Sequence, residues 1–231
     1  MSNDTRIVNV WDPLVRIGHW TLVIAFFTAY FTEEDWMEVH EWAGYTVAAI
    51  VLIRIVWGFI GSKHARFSDF IYAPTKVLAY LKNLLARKPQ HYIGHNPAGG
   101  AMVIALLLSL AATTITGMKL YAVEENEGPF AITAQQAQAQ IDQASIISAA
   151  KAEDEEDNDE DEASSKGAKS GHVVDEQAEE YWEELHETFV NLTLLLVILH
   201  IGGVIFSSIV DKEKLVKAMI TGKKEIDDSY Q

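Results

Sequence analysis

Apolar residues gather into four runs, at about Leu14–Phe31, Val39–Ile60, Ala98–Tyr121 and Tyr181–Val210. At about 1.5 Å of rise per residue each run is long enough, as a helix, to cross a hydrocarbon layer about 30 Å thick, the first only just. Glu33, Glu34 and Asp35 end the first run, and Trp36 stands where interfacial aromatics stand. Within the polar stretch Gly61–Pro97, the segment Pro74–Arg87 spaces Val77, Leu78, Leu81, Leu84 and Leu85 as one helix face, which predicts a helix lying on the membrane with its lysines toward water. Val123–Glu180 is polar: Ala134–Ala150 has the composition of a partly helical segment, and the acidic block Glu153–Glu162 repels itself and is expected to be disordered. Gly99, Gly100, Ala111, Ala112 and Gly117 in the third run suit close helix packing.

The expected fold is an all-α integral membrane protein. It is a four-transmembrane-helix bundle with an inner-side amphipathic surface helix and a long disordered acidic outer loop. It divides into residues 1–121 (with a basic connector at 61–97), the loop 122–179, the fourth span 180–210 and a basic tail 211–231. No repeat of domain scale is visible, and residues 1–13 show neither a basic leader nor a small-residue cleavage site.

Charge sharpens this picture. Val123–Glu180 holds seventeen acids and three lysines, so it carries almost all of the chain's net charge of −15. Arg6, Arg16, the six connector cations Lys63, Arg66, Lys76, Lys82, Arg87 and Lys88, and the five tail lysines from Lys212 to Lys224 share one side of a four-span topology. Only Lys119, Lys151, Lys166 and Lys169 fall on the other. The positive-inside rule then puts both termini in the cytoplasm and the acidic loop outside. A nucleic-acid reading of the basic connector does not suit a membrane setting. The absence of cysteine excludes disulfides, thiolate metal sites and covalent haem attachment, so any metal must be held by histidine or carboxylate.

The histidines sort by depth. His186 and His200 lie fourteen residues apart on the fourth run, close to four full turns, so they share a face at an axial separation of roughly 21 Å. His19 opens the first span on the inner side, level with His200. His40 opens the second on the outer side, level with His186. Two pairs from different helices suit axial ligation of two b-type haems, pairs His19/His200 and His40/His186, each leaving no open position for oxygen chemistry. A hydrogen-bonding polar network within a bundle of other purpose stays open, while a single four-histidine zinc site is poorer because the pairs lie at opposite ends. Arg54, late in the second span, either snorkels to the interface or pairs with an acidic cofactor group such as a propionate. His64 and His91 read as exposed or interfacial residues. His95 is a weaker candidate near a quinone or a propionate, and His172 falls in the loop.

The stretches V-W-D-P-L-V-R-I-G-H-W at 10–20, V-H-E-W-A-G-Y at 39–45, R-I-V-W-G-F-I-G at 54–61, A-R-F-S-D-F at 65–70 and H-N-P-A-G-G at 95–100, with the spaced His186 and His200, resemble the bacterial cytochrome b-561 family. That family includes the cytochrome b subunits of nickel–iron hydrogenases. The resemblance covers 10–121 and 180–210. It implies a four-helix dihaem electron carrier in the bacterial inner membrane, with ligand roles on His19, His40, His186 and His200. The acidic 123–180 insert departs from the compact core and leaves the partner open.

The expected function is a dihaem b-type cytochrome, an electron carrier rather than a self-sufficient enzyme. It would work between a quinone or inner-side partner and a periplasmic c-type cytochrome or oxidoreductase subunit. The alternative is a non-catalytic anchor or docking subunit whose acidic loop binds a basic cytochrome c or cations. A transporter is a third reading, and it lacks inverted repeats and broken helices.

Overall fold

The computed structural model describes residues 6–33, 35–88, 90–131, 176–211 and 213–226. Four of its helices are long and apolar enough to cross a membrane: α1 (Pro13–Thr32), α2 (Met37–Ile60), α5 (Pro97–Glu124) and α6 (Glu176–Val210). Between α2 and α5 lie a 3₁₀ turn (Lys63–Ala65), a single-turn α3 (Phe67–Phe70) and α4 (Pro74–Leu85). A short α7 (Leu215–Thr221) follows α6. The acidic block and His172 lie outside the described residues.

Helix ends follow local chemistry. Asp12 caps α1 by accepting the Val15 amide at 2.9 Å, and Pro13 takes the first turn, where its missing N–H costs nothing. Asn96 accepts the Gly99 amide at 2.7 Å where α5 begins. At 35 residues α6 is longer than a bilayer core requires and starts five residues before the apolar run.

The chain forms two compact units. One comprises residues 1–115 with 186–231, the other residues 116–185. In the first, Ala25, Phe26, Val47, Val51 and Leu110 make a buried cluster, joined by Leu22, Ile55, Leu107, Leu194 and Val197. Outward-facing apolar residues such as Ile24, Leu52, Leu108, Leu195 and Ile198 are exposed, as a lipid-facing surface requires. In the second unit, Lys119 stands over the rings of Phe130 and Trp182, 4.4 and 5.9 Å from their centroids, and the Tyr121 hydroxyl donates to Glu127 at 3.0 Å.

The structure adds elements that periodicity did not predict: the single-turn α3, the short α7 and a pair of strands. Residues Arg6–Asn9 (β1) and Lys223–Ile226 (β2) pair antiparallel, tying the two ends of the described chain together. Gly222, at φ +78°, makes the turn into β2 in a conformation that favours glycine, and its carbonyl accepts the Val10 and Trp11 amides.

The connector is more deeply built in than a surface segment. The apolar face expected on α4 is split: Tyr80 and Leu84 are buried, while Leu78, Leu81 and Leu85 are exposed. His64 and His91, expected to be exposed or interfacial, are both part-buried and bonded, His64 to Asp69 at 2.9 Å and His91 to Glu213 at 3.0 Å. The reason is that the connector packs against the end of α6 and the residues after it. Lys224 binds Glu213 at 2.6 Å and the Tyr92 carbonyl at 2.5 Å. Tyr80 and Ser207 donate to Asp211 at 3.4 and 2.7 Å. Burial, with the nearby Asp211 and Glu213, pushes the Tyr80 hydroxyl well above its ordinary pKa. Gly100 is required where α5 passes the connector, because an added Cβ would collide with the Phe70 carbonyl.

Candidate haem sites

Two pairs of imidazoles face each other inside the bundle. His19 on α1 and His200 on α6 stand with ring centroids 6.5 Å apart and planes at 57°. His40 on α2 and His186 on α6 stand 6.3 Å apart at 80°. The first pair lies at the connector side. The second lies at the loop side, near the start of α2. The residues of the buried apolar cluster fall between the two levels in the sequence of each spanning helix.

These spacings test whether a metal fits between the rings. A metal–imidazole bond is about 2.0 Å, and a five-membered ring with bonds near 1.35 Å has its nitrogens about 1.1 Å from the centroid. Two such rings on opposite faces of one metal ion therefore stand about 6.2 Å apart, centroid to centroid. Both pairs match. Direct imidazole–imidazole hydrogen bonding would draw nitrogens to about 2.9 Å and the centroids to about 5 Å.

Tautomers agree with the same use. His40 Nδ1 donates to the Ala29 carbonyl on α1 at 2.9 Å, and His186 Nδ1 donates to the Thr113 carbonyl on α5 at 3.0 Å. A carbonyl can only accept, so in each neutral ring the lone pair lies on Nε2, the nitrogen an axial ligand uses. The loop-side pair thereby draws on all four spanning helices.

The connector-side pair is surrounded differently. His19 Nδ1, Arg16 Nε, Arg54 NH1 and His95 Nδ1 are buried with no hydrogen-bond partner among the described residues. Arg16 lies one turn before His19 on α1, a spacing visible in the sequence. The Arg54 guanidinium lies over Phe67 and Phe70, 5.5 and 5.7 Å from their centroids, so this residue is packed into the protein, not extended to water. His95 sits between Trp11 and Phe70 at 4.5 and 4.6 Å. Burial, with the nearby Arg54 charge, pushes its pKa down to about 3, so at neutral pH the ring is uncharged. Asp12, besides capping α1, accepts from Trp57 Nε1 at 3.0 Å and from Ser62 at 2.5 Å. Its burial alone would raise its pKa, but these bonds and the Val15 and Leu14 amides outweigh that and hold the carboxyl below its ordinary value.

A helical membrane bundle with facing imidazole pairs is the architecture of a membrane b-type cytochrome. The chain belongs to the prokaryotic cytochrome b561 family, whose profile matches residues 10–222. It is similar to the "Probable Ni/Fe-hydrogenase B-type cytochrome subunit" of Azotobacter chroococcum mcd 1, at 29% identity over 154 residues, which cover 54% of this chain and 63% of that protein. The protein of the same name from Bradyrhizobium diazoefficiens is 29% identical over 144 residues, 49% of this chain and 58% of that one. The "Probable Ni/Fe-hydrogenase 1 B-type cytochrome subunit" of Escherichia coli K12 is 26% identical over 151 residues, 53% and 63% respectively. The matched region thus spans about three fifths of the length of these relatives. No solved structure matches the chain.

Proposed function

We propose that this chain is a dihaem b-type cytochrome that carries electrons across the bacterial cytoplasmic membrane. The observation that carries the reading is the pair of ring spacings, 6.5 and 6.3 Å, at two levels of one bundle. His19 and His200 would hold one haem b, and His40 and His186 the other. Haem b supplies reversible one-electron chemistry at its iron.

The chain's own residues supply the rest. Two imidazoles per level would hold each haem, a ligand set that suits electron transfer over oxygen binding. The carbonyls of Ala29 and Thr113 orient the loop-side rings and raise their basicity. Arg16, Arg54 and His95 offer buried donors at the connector side, suited to acidic propionates. A quinone at the same end is a further ligand that His95 suits. The apolar residues between the levels keep water and ions out of the path.

The charge pattern supports cytoplasmic termini and an acidic loop on the periplasmic side. The names of the relatives support a hydrogenase catalytic subunit as partner. A periplasmic c-type cytochrome that docks on the acidic segment is the second candidate. Deleting residues 151–165 separates the two. Loss of salt-dependent binding to a basic cytochrome, with haem retained, would identify the segment as a docking site.

The central test is a dithionite-reduced-minus-oxidised spectrum of the detergent-purified chain with a haem-to-protein ratio. The expected result is a b-type spectrum at two haems per chain. Protein made with ample haem supply that carries none would overturn the reading.

A further inference from the structure

The bundle contains a polar layer for which paired histidines give no reason. Thr193 lies seven residues from His186 and seven from His200, so it shares their face of α6 at the midpoint, about 10 Å from each level. It is fully buried. Its hydroxyl meets Ser109 Oγ at 2.7 Å and Thr113 Oγ1 at 3.0 Å, both on α5 and both buried.

The donors can be assigned one by one. Thr113 Oγ1 donates to the Ser109 carbonyl at 2.9 Å. Having spent its proton there, it accepts from Thr193. Thr193 then accepts from Ser109 Oγ. Each of the three hydroxyl protons then has an acceptor within the layer.

The same Thr113 offers its backbone carbonyl to His186 Nδ1 at 3.0 Å. That contact depends on how α5 is rotated about its own axis, because one residue of slip turns a helix by about 100°. Apolar packing alone holds rotation weakly in a membrane, where lipid competes equally for Leu and Ile surfaces. Buried hydroxyls that bond one another across two helices favour one rotation and one register.

We infer that Ser109, Thr113 and Thr193 form a positioning layer that sets the hydrogen bond of His186, and through it the redox properties of the loop-side haem. The inference rests on His186 being an axial ligand. A ligand imidazole whose Nδ1–H is firmly accepted is more basic and stabilises the ferric state. Weakening that bond raises the potential of this haem and changes its ligand orientation. The connector-side haem, held by His19 and His200, does not depend on the Thr113 carbonyl.

The test uses the full chain, purified with its haems. Redox titration and low-spin EPR are recorded for the wild type, Thr193→Val, Thr193→Ser and Ser109→Ala. The loop-side signal is first assigned as the one missing in His186→Ala. Thr193→Val keeps the side-chain shape and removes the hydroxyl. The expected result is a raised potential and an altered EPR signal for the loop-side haem alone, a smaller change of the same kind in Ser109→Ala, and wild-type values in Thr193→Ser. Selective loss of the loop-side haem in Thr193→Val would also support the inference. Unchanged signals from both haems, or equal changes in both, would overturn it. So would loss of both haems from Thr193→Val together with unchanged signals in Ser109→Ala. A wild type without two bis-histidine haems would instead overturn the parent reading, a separate outcome visible before any variant is made.

Discussion

The two histidine pairs differ at the nitrogens that face away from their partners. At the loop side both Nδ1 atoms already donate to carbonyls, Ala29 and Thr113, so the protein alone orients these rings. At the connector side His19 Nδ1 is buried without a partner among the described residues, and so are polar atoms of Arg16, Arg54 and His95. A buried polar atom left without a partner costs about 1–3 kcal/mol, and four of them gather at this level. In the proposed cytochrome, backbone carbonyls orient the rings at one end, and acidic groups of the cofactor would meet the buried polar atoms at the other. On the proposed reading, loop-side properties depend on helix register, and connector-side properties depend on charge.

The largest test of this contrast is removal of one ligand at a time. His200→Ala is expected to lose the connector-side haem and keep the other, and His186→Ala the reverse, each halving the haem-to-protein ratio. Loss of both haems from either variant, with helix content intact by circular dichroism, would break the division into independent levels.

Charge comes next. Arg54→Gln removes a cation from the connector side only. A nearby positive charge favours the ferrous form, so its loss should lower that haem's potential, by about 60 mV for a tenfold change in the one-electron equilibrium. An equal shift at the loop side in potentiometric titration would show that Arg54 acts through the whole bundle.

Acid should also discriminate. The folded pKa of His95 lies at about 3, below its ordinary 6.5, so the native protein binds fewer protons there than the unfolded chain. Its neutral burial is tolerated above about pH 6.5, and stability is lost as pH falls from there toward 3, by at most about 1.4 kcal/mol per pH unit. Thermal melts between pH 7 and 5 should show this loss, and His95→Asn should flatten it.

The smallest expected effect is at Asp12. Asp12→Ala removes the α1 cap and the acceptor for Trp57 and Ser62, and should cost about 1–2 kcal/mol of thermal stability near neutral pH. Its folded pKa is depressed, so its contribution is present above the ordinary carboxylate value and disappears as pH falls through the folded one. The mutant and wild-type melts should converge in strong acid.

Much of the bundle was legible in the chain because a membrane narrows the choices. With no water to satisfy backbone groups, an apolar run of some twenty residues must be a helix, and Met37–Ile60 and Pro97–Glu124 follow their runs closely. The depth of each histidine follows from its place in its span. The connector was read less well. His64 and His91 looked like surface residues because their partners Asp69 and Glu213 come from the far side of a turn and from beyond α6. The β1–β2 pair was invisible for a similar reason: each strand is four residues long and its partner lies more than two hundred residues away.

By itself, the sequence indicated four membrane-length helices and which histidines come together in pairs. Both are set by run length and helical pitch, which are local quantities. Only the tertiary structure decided that the paired rings stand 6.3 and 6.5 Å apart, that Thr113 turns its carbonyl to His186, and that polar atoms of Arg16, Arg54 and His95 are buried without partners among the described residues. Those depend on helix rotation and close packing between segments distant in the chain, and no periodicity along one helix specifies how far another is turned.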